Sequence, residues 1–187
     1  MTAAAALART ACTGCTPDGR PLYAAHADLP WPDPPHLALW HAVTLLREFR
    51  GDGHVAALVG EGVTGLEAAV MHVALGDSWT RKGLQATRAY SDHEWDAAVA
   101  GLMARGWLTP DARFTDAGRA HRQRVWLTPD ARFTDAGRAH RQRVEDATDR
   151  LAMPAWEALG QDGAERLRAL VRPLTAAVLD GGGIGIR

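Results

Sequence analysis

The sequence predicts a mainly α fold carrying a small β-hairpin, and three observations lead there. Two capping boxes, Thr64-x-x-Glu67 and Ser91-x-x-Glu94, each stand directly before an apolar stripe at helical spacing. A Pro-rich connector, LPWPDPP at 29–35, precedes a third such stripe. The segment WLTPDARFTDAGRAHRQRV, in which two short β-prone runs flank Pro-Asp-Ala, occurs twice in identical form, at 107–125 and 126–144. With two copies, either one hairpin or two is expected.

The elements follow in order. Residues 1–30 read as a flexible leader. Within it, Cys12 and Cys15 form C-T-G-C, a spacing open to a redox pair or half a zinc site. A second CxxC and a surrounding strand–helix pattern are both missing, so two reduced thiols are expected. Asp33 caps and Pro34 opens a helix whose stripe is Leu37, Trp40, Val43, Leu46 and Phe49, with Gly51 as its stop. A short helix at 53–59 follows Asp52. Behind Thr64, Leu66, Ala69, Val70 and Val73 line a helix to Gly76, and another short helix occupies 80–88. The helix behind Ser91 turns Trp95, Ala98, Val99, Leu102 and Met103 inward and ends at Gly106.

Each copy of the repeat reads as strand, turn, strand, helix, with Thr115 or Thr134 as the helix cap. Val144, Ala147 and Leu151 continue a stripe until Pro154. A last helix at 163–179 carries Leu167, Leu170, Leu174 and Val178, and Pro173 should bend or interrupt it. Residues 181–187 form a loose tail. Two identical adjacent copies indicate a tandem duplication, not a solenoid, which shows three or more diverged units. The first copy is expected to keep a hairpin at 107–115 and the second to feed the long helix. The surplus then bulges as a helix–hairpin insertion around 116–134.

A chain of 187 residues fits one domain, placed at 31–180. No apolar run reaches the roughly 18–20 residues of a membrane span. The N-terminus lacks a basic start and an apolar signal core, so a cytoplasmic protein is expected. Twenty-one basic against twenty-two acidic residues exclude a globally basic nucleic-acid binder. That balance conceals an asymmetry. Each repeat copy carries four Arg and two Asp, so the duplicated segment is net +4 and the remainder −5.

One constellation stands out. In R-E-F-R-G-D-G-H (47–54), Asp52 can orient the His54 imidazole and Arg50 can clamp an anion, with Trp40 and His41 on the preceding helix as further lining. A small-molecule pocket is one reading. The other is structural, with Gly51 ending one helix and Asp52 capping the next. No HExxH, phosphate loop or nucleophile elbow occurs, so no catalytic residue, metal or cofactor is expected and the protein reads as non-enzymatic. Most of the seven Trp serve as core plugs; Trp31, Trp79 and Trp156 stand near element ends.

Helix, short helix, helix, hairpin, long helix is the order of a winged helix-turn-helix. Residues 80–153 resemble the MarR-type family of regulators, through SDHEWDAAVAGLMARGWL (91–108) and FTDAGRAHRQRVEDATDRLA (133–152). The stretch GRPLYAAHADLPWPDPPHLALWHAVTLLREFRGDGHVAAL (19–58) is similar to a group of actinobacterial proteins with the same core. The resemblance implies a homodimer on double-stranded DNA, with 80–88 as positioning helix and 91–105 in the major groove. Arg81, Lys82, Arg88, His93, Arg113 and Arg132 would then contact phosphates, and a small-molecule effector would act on the complex. The residues pull the other way. The outward face of the groove helix is His93, Asp96, Ala97, Ala100 and Ala104, with Asp92 and Glu94 at its start, whereas base reading favours Arg, Lys, Asn or Gln. A scaffold without base readout, binding a small molecule or a protein, is the alternative.

Overall fold

The structure, a computed structural model, describes residues 1–76, 80–110 and 131–181. Among these are eight helices and one two-stranded antiparallel sheet. The helices are α1 (Thr2–Cys12), α2 (Pro21–Ala27), α3 (Pro35–Gly60), α4 (Gly65–Ala74), α5 (Arg81–Arg88), α6 (Asp92–Ala104), α7 (Asp135–Leu159) and α8 (Gln161–Asp180), and the strands are β1 (Leu108–Pro110) and β2 (Ala131–Phe133). The chain divides into two compact units, Met1–Ala56 with Ala147–Arg187, and Ala57–Asp146. That division does not follow the expected boundary at residue 30.

In the first unit, the expected leader is instead helical and packed. Ala4, Ala8 and Ala11 of α1 are almost completely buried, because alanine lets helix backbones approach closely. Ala4 and Ala8 join a core with Tyr23, Leu39, Ala42, Leu45, Phe49, Ala155 and Leu167. The buried side of α3 is therefore Leu39, Ala42, Leu45 and Phe49. Of the expected stripe, Phe49 is buried and Leu46 partly so, while Leu37, Trp40 and Val43 face solvent. The helix is apolar on two sides, and the cluster it joins covers only one of them.

Three expected breaks do not occur. α3 runs through Gly51 and Gly53 in one 26-residue helix, and α7 and α8 continue through Pro154 and Pro173. The buried positions of α7 are Gly137, His140, Val144, Thr148, Ala152 and Ala155, with Leu151 outside. On α8, Leu167 is buried and Leu174 partly so, but Leu170 and Val178 are exposed. In each case the apolar set is wider than the face that a neighbour covers.

The second unit follows its local signals closely. Both capping boxes form, with Thr64 accepting from Glu67 N and Ser91 from Glu94 N. Gly76 and Gly106 take the left-handed conformation that ends a helix. α4 lies against α5, α6 and β2, and α6 against β1. Val70, Met71, Leu84, Trp95, Leu102, Leu108 and Phe133 are buried.

The hairpin departs from expectation in an informative way. β1 belongs to the first repeat copy and β2 to the second, with Leu108 opposite Phe133 and Thr109 opposite Arg132. Of the hairpin expected within the first copy at 107–115, residues 111–115 lie outside the described residues, and its first strand pairs with the second copy. The expected insertion at 116–134 falls mostly outside the described residues. Thr134 caps α7, accepting from Gly137 N at 2.9 Å, so the second copy does feed the long helix. Phe133 and Phe114 occupy equivalent repeat positions, so removing 112–130 keeps Phe133 opposite Leu108 and leaves Pro-Asp-Ala as a three-residue loop. We expect this deletion to keep the fold and to leave the midpoint of thermal unfolding essentially unchanged. Loss of cooperative unfolding by circular dichroism would contradict it.

Candidate functional site

α5 and α6 are joined by a tight turn. Ala89 closes α5 in the left-handed conformation, and Ser91 then caps α6. Trp95 and Leu102 anchor α6 inward. Its outward residues are those expected, since His93, Asp96, Ala97, Ala100 and Ala104 are exposed. Lys82 and Arg88 on α5 and Arg132 on β2 are exposed as well. Arg113 lies outside the described residues.

Arg81 is placed differently. Its guanidinium is half-buried and reaches across to α6, 2.8 Å from Asp92 Oδ1 and 2.8 Å from Asp96 Oδ1. Gln85 donates to the same Asp92 oxygen at 3.0 Å. That amide, with Arg81 beside it, holds the Asp92 carboxyl below the usual carboxylate range. Glu94 is likewise occupied, accepting from Ser91 at the helix start. The acidic beginning of α6 is therefore internally compensated, a feature visible in sequence only as an Arg one helix upstream.

At the root of the hairpin, Trp107 lies against His140 with ring centroids 3.7 Å apart. The His140 Nε2 is 3.4 Å from Glu61, which also meets Arg143. Burial, reinforced by Arg143 and Arg105 against the opposing pull of Glu61, lowers the His140 pKa. In the other unit His41 packs edge-on to Trp31 at 4.7 Å, and burial with His26 and Arg9 lowers its pKa too. Each folded imidazole resists protonation, while in the unfolded chain it titrates near 6.5. Stability is accordingly full above that value and falls as pH drops from there through the folded values. Denaturant titrations at about pH 7.5 and about pH 5.5 should show the loss, and His140→Gln should reduce it.

The RGDGH residues are brought together with partners that sequence reasoning missed. Asp52 is buried and accepts from the Tyr23 backbone N at 2.9 Å, capping α2 from another helix. The His54 Nδ1 lies 2.9 Å from Thr148 Oγ1, and Arg50 is 3.6 Å from Asp149. Gly53 leaves room for Arg20, whose nitrogen would be 2.8 Å from a Cβ there. Buried Arg20 donates to the carbonyls of Phe49 and Leu151 and stacks on the Phe49 ring at 3.6 Å. The motif thus ties α2, α3 and α7 together within the first unit. Trp40 and His41 do not join it. They lie about 15 Å away along α3 at the usual helical rise, and Trp40 is 76% exposed. Pro21 directly after Arg20 was the one legible signal, as a helix-opening proline.

Cys12 is buried with its Sγ 3.6 Å from the Ala42 carbonyl, and burial pushes its thiol up to about 12 and that of Cys15 to about 11. Such thiols stay protonated at neutral pH, which suppresses both nucleophilic and metal-binding chemistry. Among the described residues no helix is long and apolar enough to cross a membrane.

Three helices, a tight turn before the third, and a hairpin behind it define a helix-turn-helix protein, a DNA-binding architecture that offers one helix to the major groove. The chain belongs to a helix-turn-helix family, whose model matches residues 1–125 and again 122–185. The two matched stretches meet inside the duplicated segment. No curated protein and no solved structure gives a significant match.

Proposed function

We propose that the protein is a MarR-like winged-helix regulator that binds double-stranded DNA, acts as a homodimer and answers to a small-molecule effector. The observation that carries the DNA part is the solvent-facing α6 behind its tight turn, with exposed Lys82, Arg88 and Arg132 on the elements that flank it in the chain. These cations supply phosphate contacts, and His93 stands at the start of the groove helix. The apolar Leu37, Trp40 and Val43 on the outer side of α3 support a self-associating surface. Support for an effector is His41, buried beside Trp31 with its Nε2 unpartnered. Arg50, Asp52 and His54 have internal partners with which a ligand there would compete.

A second reading is favoured by the outward face of α6, where the alanines Ala97, Ala100 and Ala104 leave little to read a base edge. On that reading the protein is a scaffold without base readout that binds a small molecule or a protein. An electrophoretic shift with DNA flanking its own gene separates the two. The regulator forms a complex that survives moderate salt, and Lys82→Ala reduces the slope of log affinity against log salt by about 1. Equal, strongly salt-sensitive affinity for every duplex sinks the regulator reading.

A further inference from the structure

We infer that Arg81 is a positioning residue for DNA binding that clamps Asp92 and Asp96 of α6 and offsets part of their charge, and that it is not a phosphate contact. The inference rests on the DNA-binding reading above. Asp92 and Asp96 stand one helical turn apart at the start of α6, on the side that turns toward solvent, and both are exposed. Left alone, two carboxylates in the first turns of a groove helix would face the phosphates of the duplex and repel them. Arg81 sits at the first position of α5 and spans the inter-helix turn, with one nitrogen on each carboxylate. Its planar fork suits this double engagement, which a lysine ammonium does not reproduce. Gln85, one turn further along α5, adds a third tie through Nε2 to Asp92. The guanidinium also lies 5.7 Å from the Trp95 ring, which is itself buried in the unit. The clamp therefore fixes α6 against α5 and offsets one of the two negative charges that the pair would present to DNA. A guanidinium committed in this way gives the duplex compensation, while Lys82 and Arg88 give it contact.

The experiment is a double-mutant cycle on DNA affinity in the full-length chain. Arg81→Ala is measured in the wild-type background and in the Asp92→Asn/Asp96→Asn background, with Lys82→Ala as the reference in both. Arg81→Ala should weaken binding about tenfold in the wild type and hardly at all once the carboxylates are amides. Lys82→Ala should cost the same in both backgrounds. In the amide background Arg81→Ala should leave the salt slope unchanged, whereas loss of a phosphate contact would lower it by about 1. Arg81→Gln serves as a second variant, with circular dichroism confirming retained helix. An equal Arg81 penalty in both backgrounds, with a reduced slope, overturns the clamp and leaves DNA binding standing. Absence of any complex with the wild type at low salt overturns the DNA-binding reading, and the clamp with it.

Discussion

Gly137→Ala is expected to destabilise the protein by about 3 kcal/mol or more, although an alanine inside a helix ordinarily gains up to about 1 kcal/mol over glycine. Gly137 is the third residue of α7, and its N–H donates to the Thr134 hydroxyl. A Cβ there would overlap the Trp107 carbonyl oxygen and lie 2.8 Å from its carbon and 2.9 Å from Phe133 Cδ1. Two of these atoms are backbone. That backbone is itself fixed, because Trp107 N donates to Leu102 O and Thr134 N donates to Trp107 O. No side-chain rotation relieves the overlap, so the hairpin root must move. Gly51→Ala is the control. It also lies within a helix, but its Cβ would meet nothing nearer than Glu48 Oε2 at 3.9 Å, so a gain is expected. Denaturant midpoints of the two variants should move in opposite directions. A stabilised Gly137→Ala would show that α7 does not approach the hairpin this closely.

Arg20→Ala is the second large effect, with an expected loss of about 3 kcal/mol in denaturant unfolding. The side chain removed is buried, covers the Phe49 ring and carries charged hydrogen bonds to two backbone carbonyls on different helices. Charge-assisted bonds of this kind are roughly twice as strong as neutral ones. Asp52→Asn keeps an acceptor for Tyr23 N and should cost no more than about 1 kcal/mol, in the range of a modified helix cap. If Arg20→Ala fell within the roughly 0.5 kcal/mol typical of surface substitutions, the cross-link would not support the unit.

Legibility followed the range of the interaction. The capping boxes at Thr64 and Ser91, the glycine stops at Gly76 and Gly106 and the inward set Trp95 and Leu102 all depend on neighbours within a few residues. Each was readable. α3 was misread in both its face and its length, because its apolar residues exceed one stripe and its glycines resemble a stop. Leu39, Ala42 and Leu45 are buried in a cluster with Ala4, Ala8, Tyr23, Ala155 and Leu167 from distant parts of the chain, and what makes Gly53 useful inside a helix is Arg20, more than thirty residues upstream. The same distinction applies to the candidate sites. Exposed Lys82, Arg88, His93 and Arg132 could be placed from sequence, since helical phase puts the first three outside and strand alternation puts Arg132 opposite in face to Phe133. The partners of Arg81, Asp52 and His54 could not, because side chains 11 to 94 positions apart meet only after folding.

The sequence by itself determined a mainly helical chain, the helix-turn-helix order, the outward residues of α6 and the duplicated segment. Its periodicities and caps are local, and local free energies are enough to fix them. Tertiary structure alone decided that the first thirty residues are core, that RGDGH is a cross-link and that Arg81 is spent on α6. It also decided that the hairpin pairs one repeat copy with the other. Both copies offer identical strands, so no sequence rule could rank the pairings. Only the second copy continues into α7, and its Phe133 and Gly137 close against Trp107 at the end of α6.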